Sequence, residues 1–379
     1  MPLPGKISLF LWFLSLSLLI SKTNSLPASI GVNYRPTMTT PPPDRVAAAL
    51  QSLKIAAVRI PGDSEPAAIR AFSYTNISIL LSVPNRLVPA IASNRSAAEL
   101  WLYTHVVPFY PRAPIAIISV GTDVASAASD LTDLLLPAVR NVHFCLRDLG
   151  LRRISVSSTF SFLNVMTTAF PPSSAEFQEP LAGVIIKPLL QFLAETNSSF
   201  LINLHPYSVY RLNREIPIGY TLFQEQQFNF RDDIITGVRY RNLFDVMVDA
   251  VISAMTVAGH ESIPLVVTET GWPSSGGPEE PEASQIYAEM YVKGLIDHLK
   301  SGLGTPLRKE GVAQTYIYEL FDGDPNHTSE PRQWGLLYQN MTKKYNIDFS
   351  AGSRIDGGIL AALAAAFGFL FAVSDFLVC

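Results

Sequence analysis

Residues 264–274 read PLVVTETGWPS. A run of apolar, largely β-branched residues leads to a single carboxylate, Glu269, and then to a glycine and a tryptophan. A short continuous apolar run bounded by turn residues is typical of a strand that is covered on both faces. This stretch therefore predicts a buried parallel strand that ends in an acidic side chain.

Seven other runs of the same kind occur along the 379 residues. In chain order the eight runs are SIGVNY, AAVRIPG, ISILLSVPN, IAIISVGTD, RISVSSTFSFL, SFLINLHPYS, IPLVVTETGW and AQTYIYELFD. Seven of them are followed by a helical pattern, such as DRVAAALQSLK after the first run. The length could hold two average domains, but alternating β and α units favour one domain of the α/β class. The sequence predicts a (β/α)8 TIM barrel over residues 26–350.

The two ends of the chain carry targeting patterns. Lys6 precedes an apolar stretch and then small and polar residues through Ser25, which predicts a signal peptide over residues 1–25. Residues 351–379 end in an apolar tail behind a short polar spacer, which indicates a glycosylphosphatidylinositol (GPI) attachment signal. Its candidate attachment residues are Ser350, Ala351, Gly352 and Ser353. A retained transmembrane helix is the alternative, although no basic stop follows the tail.

These patterns predict a secreted glycoprotein anchored by lipid to the outer face of the plasma membrane, or in the cell wall. Five Asn-x-Ser/Thr sequons agree with that location: Asn76, Asn94, Asn197, Asn326 and Asn340. Removal of the tail would take Cys379 and leave Cys145, which we expect to be a buried thiol without a disulfide partner. We expect a monomer.

Composition argues against several other classes of protein. The net charge is −4 and no basic block is present, so nucleic acid is not an expected partner. The six histidines are scattered and no metal-binding spacing of histidine or cysteine occurs, so we expect neither a metal nor a cofactor.

Polar residues at the carboxyl ends of barrel strands point into the mouth where such barrels place their chemistry. Two acids hold that position: Asp123 closes the fourth strand and Glu269 the seventh. Paired carboxylates beside aromatic side chains suit glycosidic bond cleavage, because one donates a proton while the other attacks the sugar or activates water. The candidate substrate-binding residues are Asn33, Tyr34, Thr122, His205, Tyr207 and Trp272. We expect the three aromatic residues to offer flat faces to sugar rings.

The stretch VVTETGWPS resembles the nucleophile signature of plant β-1,3-glucanases, glycoside hydrolase family 17. Further segments resemble that family in the same order: IGVNY, LLSVPN, PPSS, KPLLQFLAET, NLFDVMVDAV and GTPLR. The resemblance covers nearly all of residues 29–348. It implies a (β/α)8 barrel, a retaining mechanism and a β-1,3-glucan substrate of the laminarin or callose type. It also implies that Glu269 is the nucleophile, and it retains Glu330 as a candidate binding residue.

Several positions depart from the family's pattern. The acid/base motif Val-Gly-Asn-Glu reads Val-Gly-Thr122-Asp123, so the acid is one methylene shorter and the preceding asparagine is lost. A glycine after the first strand is Arg35, and a tyrosine after the second is replaced near Pro61-Gly62. Gly323 stands in place of a glutamate after the eighth strand, and a downstream lysine has no counterpart.

These departures leave two hypotheses open. A misplacement of a catalytic group by about 1 Å can cost about 10²-fold in rate. The first hypothesis is a slow, lipid-anchored endo-β-1,3-glucanase in which Glu269 attacks and Asp123 is the acid/base. The second is a non-catalytic β-1,3-glucan-binding cell-wall protein. A glycan on Asn326, in the loop after the eighth strand, would crowd long substrates in either case.

Overall fold

The computed structural model describes residues 29–124, 131–224, 226–323 and 332–349. Eight parallel strands form a closed barrel, in which the first strand pairs with both the second and the last. They are β1 Ser29–Asn33, β2 Ala57–Pro61, β3 Ser78–Val83, β4 Ile115–Thr122, β5 Ser155–Ser161, β6 Phe200–Asn203, β7 Leu265–Thr270 and β8 Gln314–Ile317. Each strand lies in one of the eight apolar runs, and the predicted (β/α)8 barrel is confirmed.

Helices lie between the strands and cover the outside of the barrel. They are α1 Pro43–Ser52, α2 Pro66–Arg70, α3 Val88–Ser93, α4 Arg95–His105, α5 Thr132–Asp148, α6 Phe162–Val165, α7 Lys187–Thr196, α8 Pro206–Leu212, α9 Ile218–Thr221, α10 Leu243–Val257 and α11 Gln285–Ser301. A two-stranded ribbon, Arg231–Asp232 with Arg239–Tyr240, lies in the connection between β6 and α10. None of the helices in the described ranges has both the length and the apolarity to cross a membrane.

Local sequence determines where α10 and α11, the helices that precede and follow β7, begin and where α11 ends. Asn242 caps α10 by accepting a hydrogen bond from the Asp245 N–H at 2.8 Å, and Ser284 caps α11 in the same way. Gly302 follows α11 with a φ of +65°, a left-handed conformation that glycine adopts without steric cost. These caps orient the helices that pack on either side of the strand carrying Glu269.

The inside of the barrel is filled by side chains at alternate strand positions. Ala57, Leu80, Leu201, Val266 and Tyr316 form a small buried cluster, separate from the larger core between sheet and helices. Because side chains alternate between the two faces of a strand, the second residue after Ala57, which is an arginine, shares its inward direction. The packed cluster forms the floor on which the polar residues of the barrel mouth rest.

Asp249 is a fully buried carboxylate on α10. Burial raises its pKa from 3.8 to about 6, although the Thr305 hydroxyl and the Leu307 N–H donate hydrogen bonds to it. Because the pKa of Asp249 is raised in the folded state, its protonated form stabilises the fold at pH values below the ordinary pKa. That stabilisation is lost as the pH rises through about 6.

We therefore expect this group to lower the free energy of unfolding by up to about 3 kcal/mol between pH 4 and pH 7. Asp249→Asn should remove that part of the pH dependence, which denaturant unfolding at several pH values will measure. Asp44→Asn, at an exposed position, is the control. An unchanged pH profile in Asp249→Asn would contradict this assignment.

Several predicted features can be placed in the fold. Cys145 is a buried free thiol, as predicted. Four of the sequon asparagines are exposed: Asn76, Asn94, Asn197 and Asn340. The remaining predictions lie outside the described residues: the signal peptide over 1–25, Asn326, Glu330, the attachment residues Ser350, Ala351, Gly352 and Ser353, and the tail over 351–379.

Candidate active site

Glu269 lies one residue before the carboxyl end of β7, and its side chain is 17% exposed. It lines a cavity of about 330 Å³ at the barrel mouth. The wall of this cavity, which we call the central cavity, comes from the carboxyl ends of β1, β2, β3, β4, β7 and β8. Its volume falls within the range of small-ligand sites, about 300–1,000 Å³.

A buried arginine holds Glu269 in place. Arg59 of β2 forms an ion pair with Glu269 and is only 6% exposed. The same guanidinium donates hydrogen bonds to Asn33 Oδ1 at 3.0 Å and to Thr122 Oγ1 at 3.2 Å. One planar group thus joins the ends of β1, β4 and β7, so residues 122 and 269 converge on one rim of the barrel.

This arrangement determines the charge of Glu269. Burial alone would raise its pKa, but the positive charge of Arg59, with a contribution from His205, lowers the pKa from 4.5 to about 2. His205 Nε2 lies 3.4 Å from the second carboxylate oxygen. Glu269 is therefore ionised at neutral pH, which is the state that a carboxylate nucleophile requires.

Asp123 faces the neighbouring strand end. Its oxygens accept hydrogen bonds from the Ser161 N–H at 3.2 Å, at the end of β5, and from Asn164 Nδ2 at 2.7 Å, in α6. Its backbone has a φ of +49°, which is uncommon for a residue with a side chain. Thr122, in contrast, lines the central cavity, and Asn85 anchors its backbone through both its N–H and its carbonyl.

The expectation about exposed aromatic faces requires correction for Tyr207 and Trp272. Each is only 1% exposed, and their ring centroids are 4.9 Å apart. Trp272 Nε1 donates to the Glu282 carbonyl at 2.8 Å. Packing these rings against each other removes more apolar surface from water than leaving either open at the rim. They support the floor of the site and offer no flat face to a ligand.

Tyr34 is among the residues that line the central cavity, but it is also only 1% exposed, so the expectation of an open flat face is corrected for it too. Asn33 uses both ends of its amide inside the protein, since it accepts from Arg59 and donates to the Thr268 carbonyl at 3.0 Å. Asn33 therefore orients Arg59. The His205 ring packs edge-on against Tyr318 and Trp334, with centroid distances of 5.9 and 5.5 Å.

A set of ion pairs secures the loop after β7. Arg332 donates two hydrogen bonds to Glu280, at 2.8 and 2.6 Å, and Tyr207 donates to the same carboxylate at 3.3 Å. Arg214 pairs with Glu282. These contacts connect the loop to α8 and so keep Trp272 and Tyr207 packed below the site.

Comparison with known protein families matches residues 30–349 to glycosyl hydrolases family 17. The chain belongs to this family. Among curated proteins, glucan endo-1,3-beta-glucosidase 12 of Arabidopsis thaliana is 37% identical over 350 residues, which is 91% of this chain and 64% of that protein. Glucan endo-1,3-beta-glucosidase 3 of the same plant is 37% identical over 351 residues, or 91% of this chain and 69% of that protein. The chain thus spans about two thirds of the length of these relatives.

Solved structures agree with the family assignment. CJP38, a beta-1,3-glucanase and allergen of Cryptomeria japonica pollen, superimposes with a TM-score of 0.79 at 33% identity, covering 85% of this chain and 99% of that one. A structure from a study of two plant beta-glucan endohydrolases with distinct substrate specificities gives a TM-score of 0.75 at 33% identity, covering 84% of this chain and 100% of that one.

Sequence reasoning missed two charged residues of this family 17 site, Arg59 and Glu319. Glu319 follows β8 and lines the central cavity. The signal for Arg59 was present, because a charged residue inside a run as apolar as AAVRIPG must find a buried partner. No group of three or more His, Cys, Asp or Glu placed to hold a metal ion occurs among the described residues.

Proposed function

We propose that this family 17 protein hydrolyses β-1,3-glucan by a retaining mechanism in which Glu269 is the nucleophile. The observation that supports this most directly is a carboxylate at the wall of the central cavity whose pKa is lowered to about 2 by Arg59 and His205. A nucleophile that is permanently ionised and held by a buried guanidinium can attack without first losing a proton. The names of the plant relatives support β-1,3-glucan as the substrate.

In the first step, a Glu269 oxygen forms a bond to the anomeric carbon while the glycosidic C–O bond breaks. Asp123 gives its proton to the leaving oxygen, and water later releases the sugar from Glu269 while Asp123 takes a proton back. Glu269 loses its negative charge as the covalent intermediate forms and regains it on release. Arg59 favours the ionised form, so it assists the second step most.

Non-catalytic binding of β-1,3-glucan is the second candidate function. The observation that favours it is the orientation of Asp123, whose two oxygens already accept hydrogen bonds from Ser161 and Asn164. Asp123 would have to leave at least one of these donors to reach a leaving group. A protein that keeps the central cavity without this movement would hold glucan and turn it over slowly or not at all.

We also propose that the protein acts outside the cell, held to the outer face of the plasma membrane by a lipid anchor, or in the cell wall. The sequence patterns at residues 1–25 and 351–379 support this location. The exposure of four sequon asparagines is compatible with glycosylation on the secretory route.

Reducing-end release from laminari-oligosaccharides by the purified protein, together with calorimetric binding of the same oligosaccharides, tests the proposal. Hydrolysis supports the enzyme. Micromolar binding without hydrolysis supports the glucan-binding protein. If the protein neither binds nor hydrolyses these oligosaccharides, both candidate functions are wrong.

The double substitution Asp123→Glu with Thr122→Asn should raise kcat by about 10²-fold. The longer side chain extends the acid by about 1 Å, and a displacement of that size can change the rate of catalysis by about 10²-fold. Asparagine also adds a donor for the sugar 2-hydroxyl, a contact that strengthens in the transition state. Steady-state kinetics on laminaripentaose will measure the change. Equal rates in the parent and the double variant would mean that the short acid does not limit turnover.

A further inference from the structure

The central cavity extends well beyond Glu269, over the ends of β8, β1, β2 and β3. Glu319, which follows β8, is half-buried in its wall, while Arg35 and Asp63 are exposed at its mouth. Arg35 and the Pro61-Gly62 step are two of the positions at which the sequence departs from the family's pattern. Two of the departures from the family thus lie on one side of Glu269, where they change the lining of a single cavity.

The backbone around Glu319 is held firmly. Its neighbours donate to the barrel, the Tyr318 N–H to the Thr270 carbonyl and the Leu320 N–H to the Asn33 carbonyl, both at 2.8 Å. The Glu319 carbonyl accepts from the Leu336 N–H at 2.9 Å. These bonds fix the backbone from which the Glu319 side chain extends, so little backbone entropy is lost when the carboxylate binds a ligand.

Several polar groups of this wall retain capacity for a ligand. Among the described residues, neither Arg35 nor Asp63 has a hydrogen bond or ion pair. Ser82 lines the same cavity as well, although its hydroxyl oxygen is buried.

We propose that Glu319 and Arg35 form a subsite for the glucosyl unit next to the one that Glu269 attacks. The inference rests on the proposed glucan-binding function. A neutral sugar presents adjacent hydroxyl groups that donate to a carboxylate and accept from a guanidinium, and such charge-assisted hydrogen bonds are the strong ones. An acid and a base that follow the neighbouring strands β8 and β1 suit a neutral polyhydroxyl ligand better than a charged one.

The position of the subsite follows from the strand order. Asp123, which protonates the leaving oxygen, lies toward β5, whereas Glu319 and Arg35 follow β8 and β1 on the other side of Glu269. The unit bound at this subsite therefore belongs to the part of the chain that remains attached to Glu269 after the first step. Recognition there would act through hydrogen bonds, because a tyrosine of the family's pattern is replaced by Pro61-Gly62.

Calorimetry with laminaritetraose tests this subsite in a Glu269→Gln background, which prevents hydrolysis. Adding Glu319→Ala should weaken binding by about 10-fold or more, and Arg35→Gly by a smaller factor because Arg35 is exposed. Glu319→Gln, which keeps the shape and one acceptor oxygen, should lie between. Glu65→Gln, at an exposed carboxylate outside the central cavity, is the matched control and should bind as the parent does.

The same titrations separate the possible failures. Suppose that the parent binds laminaritetraose and that the Glu319→Ala and Glu319→Gln variants, shown by thermal unfolding to be folded, bind it as well as the parent does. The proposed subsite is then wrong and the proposed function stands. If the parent binds no laminari-oligosaccharide and the native protein hydrolyses none, the proposed function fails and the subsite with it.

Discussion

Glu269→Gln is expected to lower kcat on laminari-oligosaccharides by about 10³-fold or more, in line with the loss of a nucleophile in other enzymes. The amide cannot form the covalent bond to the anomeric carbon, but it keeps the size of the side chain and an oxygen that accepts from Arg59. Oligosaccharide binding should therefore change much less than turnover. Initial rates and calorimetric titrations on the same preparation will measure the two effects.

Glu261→Gln is a suitable control, because Glu261 is exposed on the turn that leads into the other end of β7. It should leave both rate and binding unchanged. Residual hydrolysis in Glu269→Gln equal to that of the parent would remove Glu269 from the mechanism. A protein that binds glucan and is inert before any substitution would instead establish the non-catalytic reading.

Arg59→Met should have the largest effect on stability. It removes one partner of a buried ion pair and leaves the Glu269 carboxylate buried without the charge that offsets its desolvation. In comparable cases this change lowers the free energy of unfolding by about 3–5 kcal/mol. Asn33 and Thr122 lose their shared donor as well. Hydrolysis should fall sharply in the same variant, because Glu269 loses the neighbouring charge that lowers its pKa most. Urea denaturation at neutral pH will measure the change in stability.

The pH dependence of the stability lost in Arg59→Met identifies the cause of that loss. The pKa of Glu269 is lowered to about 2, so its contribution to stability, about 3 kcal/mol, is present above its ordinary pKa of 4.5 and is lost as the pH falls through about 2. In Arg59→Met that contribution is absent, and burial raises the pKa instead. The difference in stability between the parent and Arg59→Met should therefore shrink as the pH falls below 4.5.

Two substitutions control this experiment. Arg59→Lys keeps a positive charge but not the planar fork that serves three partners, so it should recover part of the stability. Arg45→Met, at an exposed position on α1, should have little effect. A constant difference between the parent and Arg59→Met across the acidic range would show that lost packing, rather than lost charge, destabilises the variant.

The geometry at Asp123 bears on both functional hypotheses. A glutamate in the same turn would extend one methylene further from a backbone whose φ is +49°. The shorter aspartate instead accepts hydrogen bonds from Ser161 at the end of β5 and from Asn164 in α6. The aspartate side chain thus connects the end of β4 to the end of β5 and to α6.

The sequence by itself determined the eight strands, the seven helical connections between them and the place of Glu269 at a strand end. Such features follow from local periodicity and from glycines and capping residues, which act over a few positions of the chain. The burial of Cys145 followed in the same way, from a small apolar thiol within a helical pattern. The family resemblance rested on equally local motifs.

Only the tertiary structure decided which side chains meet. Arg59 contacts Thr122, 63 positions later, and Glu269, 210 positions later, and closure of the barrel alone brings them together. The same closure buries Tyr207 and Trp272 against each other and places Glu319 beside Glu269. Contacts of this kind depend on the strand register and on the packing of side chains from distant parts of the chain, which local patterns do not encode.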